Sequence, residues 1–240
     1  MLIFIYAFII IHMLFDAHCH CSQLNKDYSV FTASVSMDLE TSLATLKMKG
    51  LRGVGIHPWN AGKVKIDEVK RLIERADFVG EVGLDYRLSE ASKEVQRMYF
   101  EEFLDFPEKP VNVHALDAWE DAFNLVIKHE IRSAIFHWYT GPLNLLKDIE
   151  GAQYFITINP SVSFQAKHQK VVEVAPTRII LTESDGGYVY KGKLLEPTMV
   201  TEALKQIARI KGLEVRQVER IVEENFRRAF LNNSKIPSST

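Results

Sequence analysis

Two histidines separated by one residue, His18 and His20, open a series of side chains whose types suit metal ions. Residues two apart on an extended segment face the same way, so both imidazoles can approach one cation. Further along stand Glu81, His114, His137 and Asp185, each in or just after an apolar run. Neutral imidazole and carboxylate together accept Zn, Mn, Fe or Mg without selecting one sharply. Glu81 lies in V-G-E-V-G, where Gly80 and Gly83 leave little bulk beside its carboxylate, and one carboxylate can bridge two cations. Two cations about 3.5–4 Å apart can activate a water and stabilise the leaving oxygen of a phosphodiester. Asp185, in T-E-S-D-G-G, can hold a metal and also accept a proton from the attacking water, which makes Asp185 and Glu81 the expected catalytic residues.

Such a set needs a scaffold that brings distant stretches of chain to one face. Eight short apolar runs, at 14–19, 31–36, 51–57, 77–84, 110–114, 132–138, 153–159 and 178–183, alternate with amphipathic segments such as 92–104 and 118–128. Two further helices are predicted at 197–210 and 214–231, with Pro197 at an early helical position and Gly212 where a stop is expected. Strands alternating with helices predict a parallel sheet with right-handed crossovers. At 240 residues the expected closure is an α/β fold of the (β/α)8 TIM-barrel type in one domain, residues 13–240. Its first units should be distorted, because 22–30 is short and polar and only 39–49 follows the second strand. The six candidate ligands then fall at the mouth of the barrel, where active-site groups project from strand ends. Alone, a histidine at a strand end is more often a hydrogen-bonded structural residue, which is the reading for His12, His129 and His168. His57, in G-I-H-P-W, stands between that reading and a substrate contact. For the six together the structural reading fails, since buried polar groups without a shared purpose are costly.

Net charge is −2, so no strong basic patch draws nucleic acid from a distance, and a tight or processive DNA binder is disfavoured. A substrate strand would have to be held locally, by metals and a few cations. The two cysteines, Cys19 and Cys21, sit poorly for a disulfide on a strand, and a reduced pair in a cytoplasmic protein is expected. The first fifteen residues are almost wholly apolar but lack a basic start and a small-residue cleavage site, and they are short for a membrane span. Residues 1–12 are therefore expected to be an extension ahead of the barrel rather than an anchor. No glycine-rich nucleotide loop is present, and neither charge nor composition indicates a protein partner.

In order along the chain, F-D-A-H-C-H, G-I-H-P-W, V-G-E-V-G-L-D-Y, P-V-N-V-H-A-L-D-A, I-F-H-W-Y-T-G, R-I-I-L-T-E-S-D-G-G-Y and E-N-F-R-R-A-F resemble the motifs of the TatD family of metal-dependent deoxyribonucleases. The most specific is V-G-E-V-G-L-D-Y, which is similar to the family's I-G-E-I-G-L-D-Y. The resemblance implies two divalent ions, Mg, Mn or Zn, one held by His18, His20, Glu81 and Asp185 and the other by Glu81, His114 and His137. It implies hydrolysis of DNA phosphodiesters, often as a 3′-to-5′ exonuclease. Departures fall at the substrate rim. Leu116 stands where the family commonly has an arginine, Trp59 replaces a histidine after Pro58, and Gly187 replaces a proline. Leucine cannot grip phosphate as a guanidinium does. Substrate contacts are then expected from His57, from Arg87 on phosphate, and from Trp138 stacking on a base. The lost arginine keeps a second chemistry open, in which the same metals hydrolyse an ester or amide such as an aminoacyl-tRNA linkage.

Overall fold

In the computed structural model the described residues are 13–231, so the apolar stretch 1–12 and its expected status lie outside them. Eight parallel strands are hydrogen-bonded in sequence order: β1 (Leu14–Cys19), β2 (Val30–Ser34), β3 (Leu51–Val54), β4 (Phe78–Asp85), β5 (Val111–Leu116), β6 (Ala134–Phe136), β7 (Phe155–Ile158) and β8 (Ile180–Thr182). The last returns to the first: the Thr182 hydroxyl donates to the Phe15 carbonyl at 2.7 Å and the Asp185 N–H to the His18 carbonyl at 3.0 Å. The His20 N–H also donates to the Gly186 carbonyl at 2.7 Å. The result is the expected barrel, nearly closed. Its strands are buried on both faces, which is why they read as apolar runs rather than alternating ones.

Helices α1 (Leu39–Thr45), α2 (Ile66–Lys70), α3 (Lys93–Phe103), α4 (Trp119–Lys128), α5 (Leu145–Gly151) and α6 (Ala166–Val174) connect the strands, and α7 (Val200–Lys211) and α8 (Val215–Phe230) follow. In α4, Trp119, Ala122, Leu125 and Val126 recur at three- and four-residue spacing and all face inward. The expected distortion is present: β1 and β2 are joined through a three-residue 3-10 turn at Cys21–Gln23, and α2 is a five-residue helix. Gly212, at φ 65°, ends α7 in the left-handed conformation that glycine adopts cheaply. At the N-terminal end of the barrel, Phe226 and Phe230 of α8 pack against Phe15 and Phe78, with ring centroids 5.0 and 5.2 Å apart for the pairs 15/226 and 78/230. That plug leaves the opposite end free.

Several strands stop before their apolar runs do. β3 ends at Val54, β6 at Phe136 and β8 at Thr182, three, one and three residues before His57, His137 and Asp185. These residues need the chain to leave the ladder and turn toward the axis, and Trp138 and Asp185 do so at φ 42° and 54°. Between β8 and α7 a two-stranded ribbon, β9 (Val189–Tyr190) and β10 (Lys193–Leu194), stands over this end. Among the described residues, no helix is long and apolar enough to cross a membrane.

Candidate metal centre

Glu81 lies at the centre, 2% exposed, and each of its carboxylate oxygens faces a separate group of ligand atoms. A register shift between Val79 and Val82 in the β4–β5 ladder displaces Glu81 from regular pairing, and its N–H is bound instead by the Ser36 carbonyl of the β2 end at 2.9 Å. Gly83, at φ 142°, is required by the neighbouring strand: a Cβ there would run into the His114 backbone. The expected purpose of this glycine, clearance for the carboxylate, is thus replaced by close approach of β4 and β5.

On the Oε2 side stand His18 Nε2 at 3.6 Å and His20 Nε2 at 3.4 Å, and both nitrogens are 3.4 Å from Asp185 Oδ1. On the Oε1 side stand His114 Nδ1 at 2.8 Å, His137 Nε2 at 2.9 Å and His57 Nε2 at 3.4 Å. Ligand atoms about 2.1 Å from a shared ion in tetrahedral or octahedral geometry stand roughly 3.0–3.4 Å apart. Both groups therefore have the spacing of a cation shell. His57, expected at the substrate rim, stands among the ligand atoms of the second group, 3.2 Å from His114 Nδ1.

The protonation pattern points the same way. Burial opposes the charge of Glu81, yet His57, His137 and His18 hold its carboxyl well below the ordinary range. Burial likewise opposes charge on Asp185, and the His18 and His20 imidazoles 3.4 Å from its Oδ1 keep it ionised. For His137 burial is outweighed by the Glu81 and Glu183 carboxylates, which raise it well above its usual value, and His20 and His114 are raised similarly. Burial, helped by the neighbouring His114 and His20 and opposed by Glu81, pushes His57 down to about 4. Protons drawn onto imidazoles around two buried carboxylates are what a site built for positive charge recruits without a metal. The buried His18 Nε2 and Asp185 Oδ1 make no hydrogen bond, and both are directed inward. The residues fit divalent cations.

Three residues that sequence reasoning missed hold the histidines in place. Asn112 donates from Nδ2 to the Ala17 carbonyl at 2.9 Å, so its Oδ1 must accept from His18 Nδ1 at 2.8 Å. That leaves the Nε2 lone pair of His18 for a metal. Asp85 accepts from His114 Nε2 at 3.2 Å, and from the Trp59 indole N–H at 2.7 Å. Glu183 lies 3.6 Å from His137 Nδ1 and accepts from the Thr157 hydroxyl. Carboxylate and amide partners of this kind fix tautomer and ring direction in metal sites. The only signal in the sequence was a polar residue inside an apolar run. A fourth buried group, Asp16, accepts from the Ser184 hydroxyl at 2.5 Å and from the Ser184 and His18 N–H groups, at 2.9 and 3.2 Å, and so ties the Asp185 turn to β1.

The expectation for the cysteines is corrected. Cys19 and Cys21 form a disulfide, with Cα atoms 5.2 Å apart. Strand alternation was the wrong premise, because β1 ends at Cys19 and the 3-10 turn starting at Cys21 swings the second sulfur back. The thiol argument for a reducing compartment goes with it.

A cavity of about 670 Å³ opens over the cluster, lined by His20, His57, His114, His137 and Asp185 below and by Trp59, Leu116, Trp138 and Tyr190 around the walls. Arg87 also lines it, but its guanidinium is held by Asp117 through two bonds of 2.7 and 2.6 Å.

The family model for TatD related DNase matches residues 15–231, which is nearly the whole described barrel. The chain belongs to the TatD family. Among TatD-type relatives, an uncharacterized metal-dependent hydrolase of Methanocaldococcus jannaschii is 28% identical over 237 residues, covering 88% of this chain and 94% of its own. A putative deoxyribonuclease of Mus musculus is 27% identical over 176 residues, covering 70% and 60%. In fold, the crystal structure of the TatD homolog YjjV from Escherichia coli superposes with a TM-score of 0.80 at 17% identity, over 90% of this chain and 97% of that one. The protein is accordingly a metal-dependent hydrolase of the TatD family.

Proposed function

We propose that this TatD-family hydrolase cleaves phosphodiester bonds of DNA, as a 3′-to-5′ exonuclease, using two divalent ions of Mg, Mn or Zn. The observation that carries the reading is the two-sided Glu81 carboxylate. His18, His20 and Asp185 would hold one ion with it, and His114 and His137 the other, with His57 alongside. Bound cations would supply the charge that lowers the pKa of a water and neutralises the phosphoryl oxygens.

The chain's own groups do the rest. Asp185 accepts a hydrogen bond from the attacking water and turns it toward phosphorus. Its carboxyl is held below the ordinary range, so Asp185 stands ionised and can accept that hydrogen bond. Asn112, Asp85 and Glu183 keep the imidazole lone pairs directed inward. Trp138, half-buried beside His137, offers a ring to a nucleobase, while Arg87 reaches phosphate only by exchanging its bond to Asp117. The name of the mouse relative, a putative deoxyribonuclease, favours the same substrate.

One observation favours a second reading. Leu116 lines the cavity and Asp117 neutralises Arg87, so among the described residues of the wall Lys167 is the cation left to a phosphate chain. An ester or amide such as an aminoacyl-tRNA linkage would meet the same activated water. Incubation with an end-labelled oligonucleotide and with an aminoacyl ester, each with Mg²⁺ or Mn²⁺, decides between them. Stepwise shortening of the oligonucleotide from its 3′ end is expected. Ester hydrolysis without any oligonucleotide cleavage would transfer the assignment to the second reading.

A further inference from the structure

The β9–β10 ribbon has no part in the metal cluster, yet it begins four residues after Asp185 and stands over the cavity. Its turn is Lys191-Gly192 with φ 50° and 79°, both positive, as a two-residue type I′ hairpin demands. The stem is extended by bonds between Leu195 N–H and the Tyr188 carbonyl at 2.9 Å and between Gly187 N–H and the Leu195 carbonyl at 3.0 Å. Tyr190 is therefore carried on a defined element rather than a loose loop. Its hydroxyl accepts from Gln165 Nε2 at 2.8 Å, which fixes the ring direction. The ring meets Trp138 edge-on, centroids 5.0 Å apart, and lies within 14° of parallel to Phe164 at 6.3 Å.

Phe164 is 56% exposed, an unusual degree for a phenyl ring set against the Tyr190 ring. The Lys191 ammonium lies 4.8 Å from its centroid and 5.5 Å from that of Tyr190, placing one cation beside these faces. Trp138 supports the arrangement from below. It holds φ 42°, a costly conformation for a bulky residue, and its N–H is tied to the Thr157 hydroxyl at 2.7 Å. Strain of that kind, next to His137, directs the indole over the site.

We propose that Tyr190 and Phe164 form a stacking subsite for a nucleobase of the strand whose phosphodiester lies at the metal centre, with Lys191 pairing to an adjacent phosphate. This inference rests on the nuclease reading above and adds to it a recognition element. Stacked rings accept any base, because every base presents a π face, and they require that base to be unpaired. The ribbon adds to a wall on which Asp117 holds Arg87 and Lys167 remains: affinity comes from ring faces and lysines instead of an arginine clamp.

The test uses the metal-loaded protein and a 5′-labelled, hydrolysis-resistant phosphorothioate pentathymidylate, alongside the same strand with abasic sugars. Binding is read by fluorescence anisotropy, and cleavage of the ordinary oligonucleotide is measured separately. The wild-type protein is expected to bind the thymidylate about tenfold or more tightly than the abasic strand. Tyr190→Ala and Phe164→Ala should each erase most of that preference, and Lys191→Ala should weaken both strands alike and flatten the salt dependence. Phe164 is exposed, so its variant should melt as the wild type does. Equal wild-type affinity for the two strands, or an unchanged preference in both ring variants, would overturn the subsite. Base preference without cleavage would leave the subsite standing and sink the nuclease reading, whereas cleavage without base preference would do the reverse.

Discussion

Replacing Asn112 by alanine should damage the metal centre from outside it. Asn112 is fully buried and touches no expected ligand position on the cavity side, yet both ends of its amide are engaged. Alanine leaves two buried groups without partners, the His18 Nδ1–H and the Ala17 carbonyl. Each orphaned group costs about 1–3 kcal/mol. The sum, centred on about 4 kcal/mol, corresponds to a melting point lower by roughly 8–16 °C for a domain of this size. Loss of an outer partner of a metal-binding histidine also weakens the metal by about 10–100-fold. Asparagine-to-aspartate separates the two effects, because it keeps an acceptor for His18 and sets an oxygen against the Ala17 carbonyl. Calorimetric metal titration with scanning calorimetry reads both quantities. Asn112→Ala should lose metal affinity and stability together, and Asn112→Asp should lose stability while retaining most of the affinity. If Asn112→Ala bound metal within twofold of the wild type, the claim that this amide directs the His18 lone pair would be wrong.

Asp185→Asn should reduce kcat by about 10²–10⁴ while leaving the far-ultraviolet spectrum unchanged, since it would remove the carboxylate proposed to orient the water and keep its shape; steady-state kinetics at saturating metal check this. Asp117→Asn frees the Arg87 guanidinium and should lower KM for an oligonucleotide several-fold at unchanged kcat, with a steeper dependence on salt; an unaltered KM would remove Arg87 from substrate binding. His168, fully buried beneath the site, is held down at about 4 by burial, against about 6.5 when unfolded. The fold keeps it neutral, so this stabilising contribution is complete above pH 6.5 and is lost as pH falls through 4, at most about 3 kcal/mol. Urea denaturation of wild type and His168→Gln at pH 7 and pH 4 should show the variant losing correspondingly less.

Much of this was legible in the residues because barrel strands are buried on both faces and their ends carry the chemistry. The apolar runs marked all eight strands, and the polar residues near their ends marked every side chain that meets Glu81 except His57, whose reading alone was left open. What escaped depended on pairing across the barrel. Asn112 orients a histidine 94 positions earlier, and nothing in P-V-N-V-H distinguishes that asparagine from a solvent-facing one. Asp85 and Glu183 were hidden for the same reason, as residues within motifs read for their neighbours. The disulfide was missed because the end of β1 could not be fixed to a residue, and one residue decides where Cys21 points. Trp59 looked like a lost histidine. In the fold its indole N–H binds Asp85, so the position still serves His114 through an intermediary.

The shared role of Glu81 is tested most directly by diffraction from manganese-loaded crystals at the manganese absorption edge, with Glu81→Gln treated identically. Two anomalous peaks should flank Glu81, one among His18, His20 and Asp185 and the other among His57, His114 and His137, and the variant should lose at least one of them. A wild-type map with a single peak away from both carboxylate oxygens, or full double occupancy in Glu81→Gln, would contradict the account.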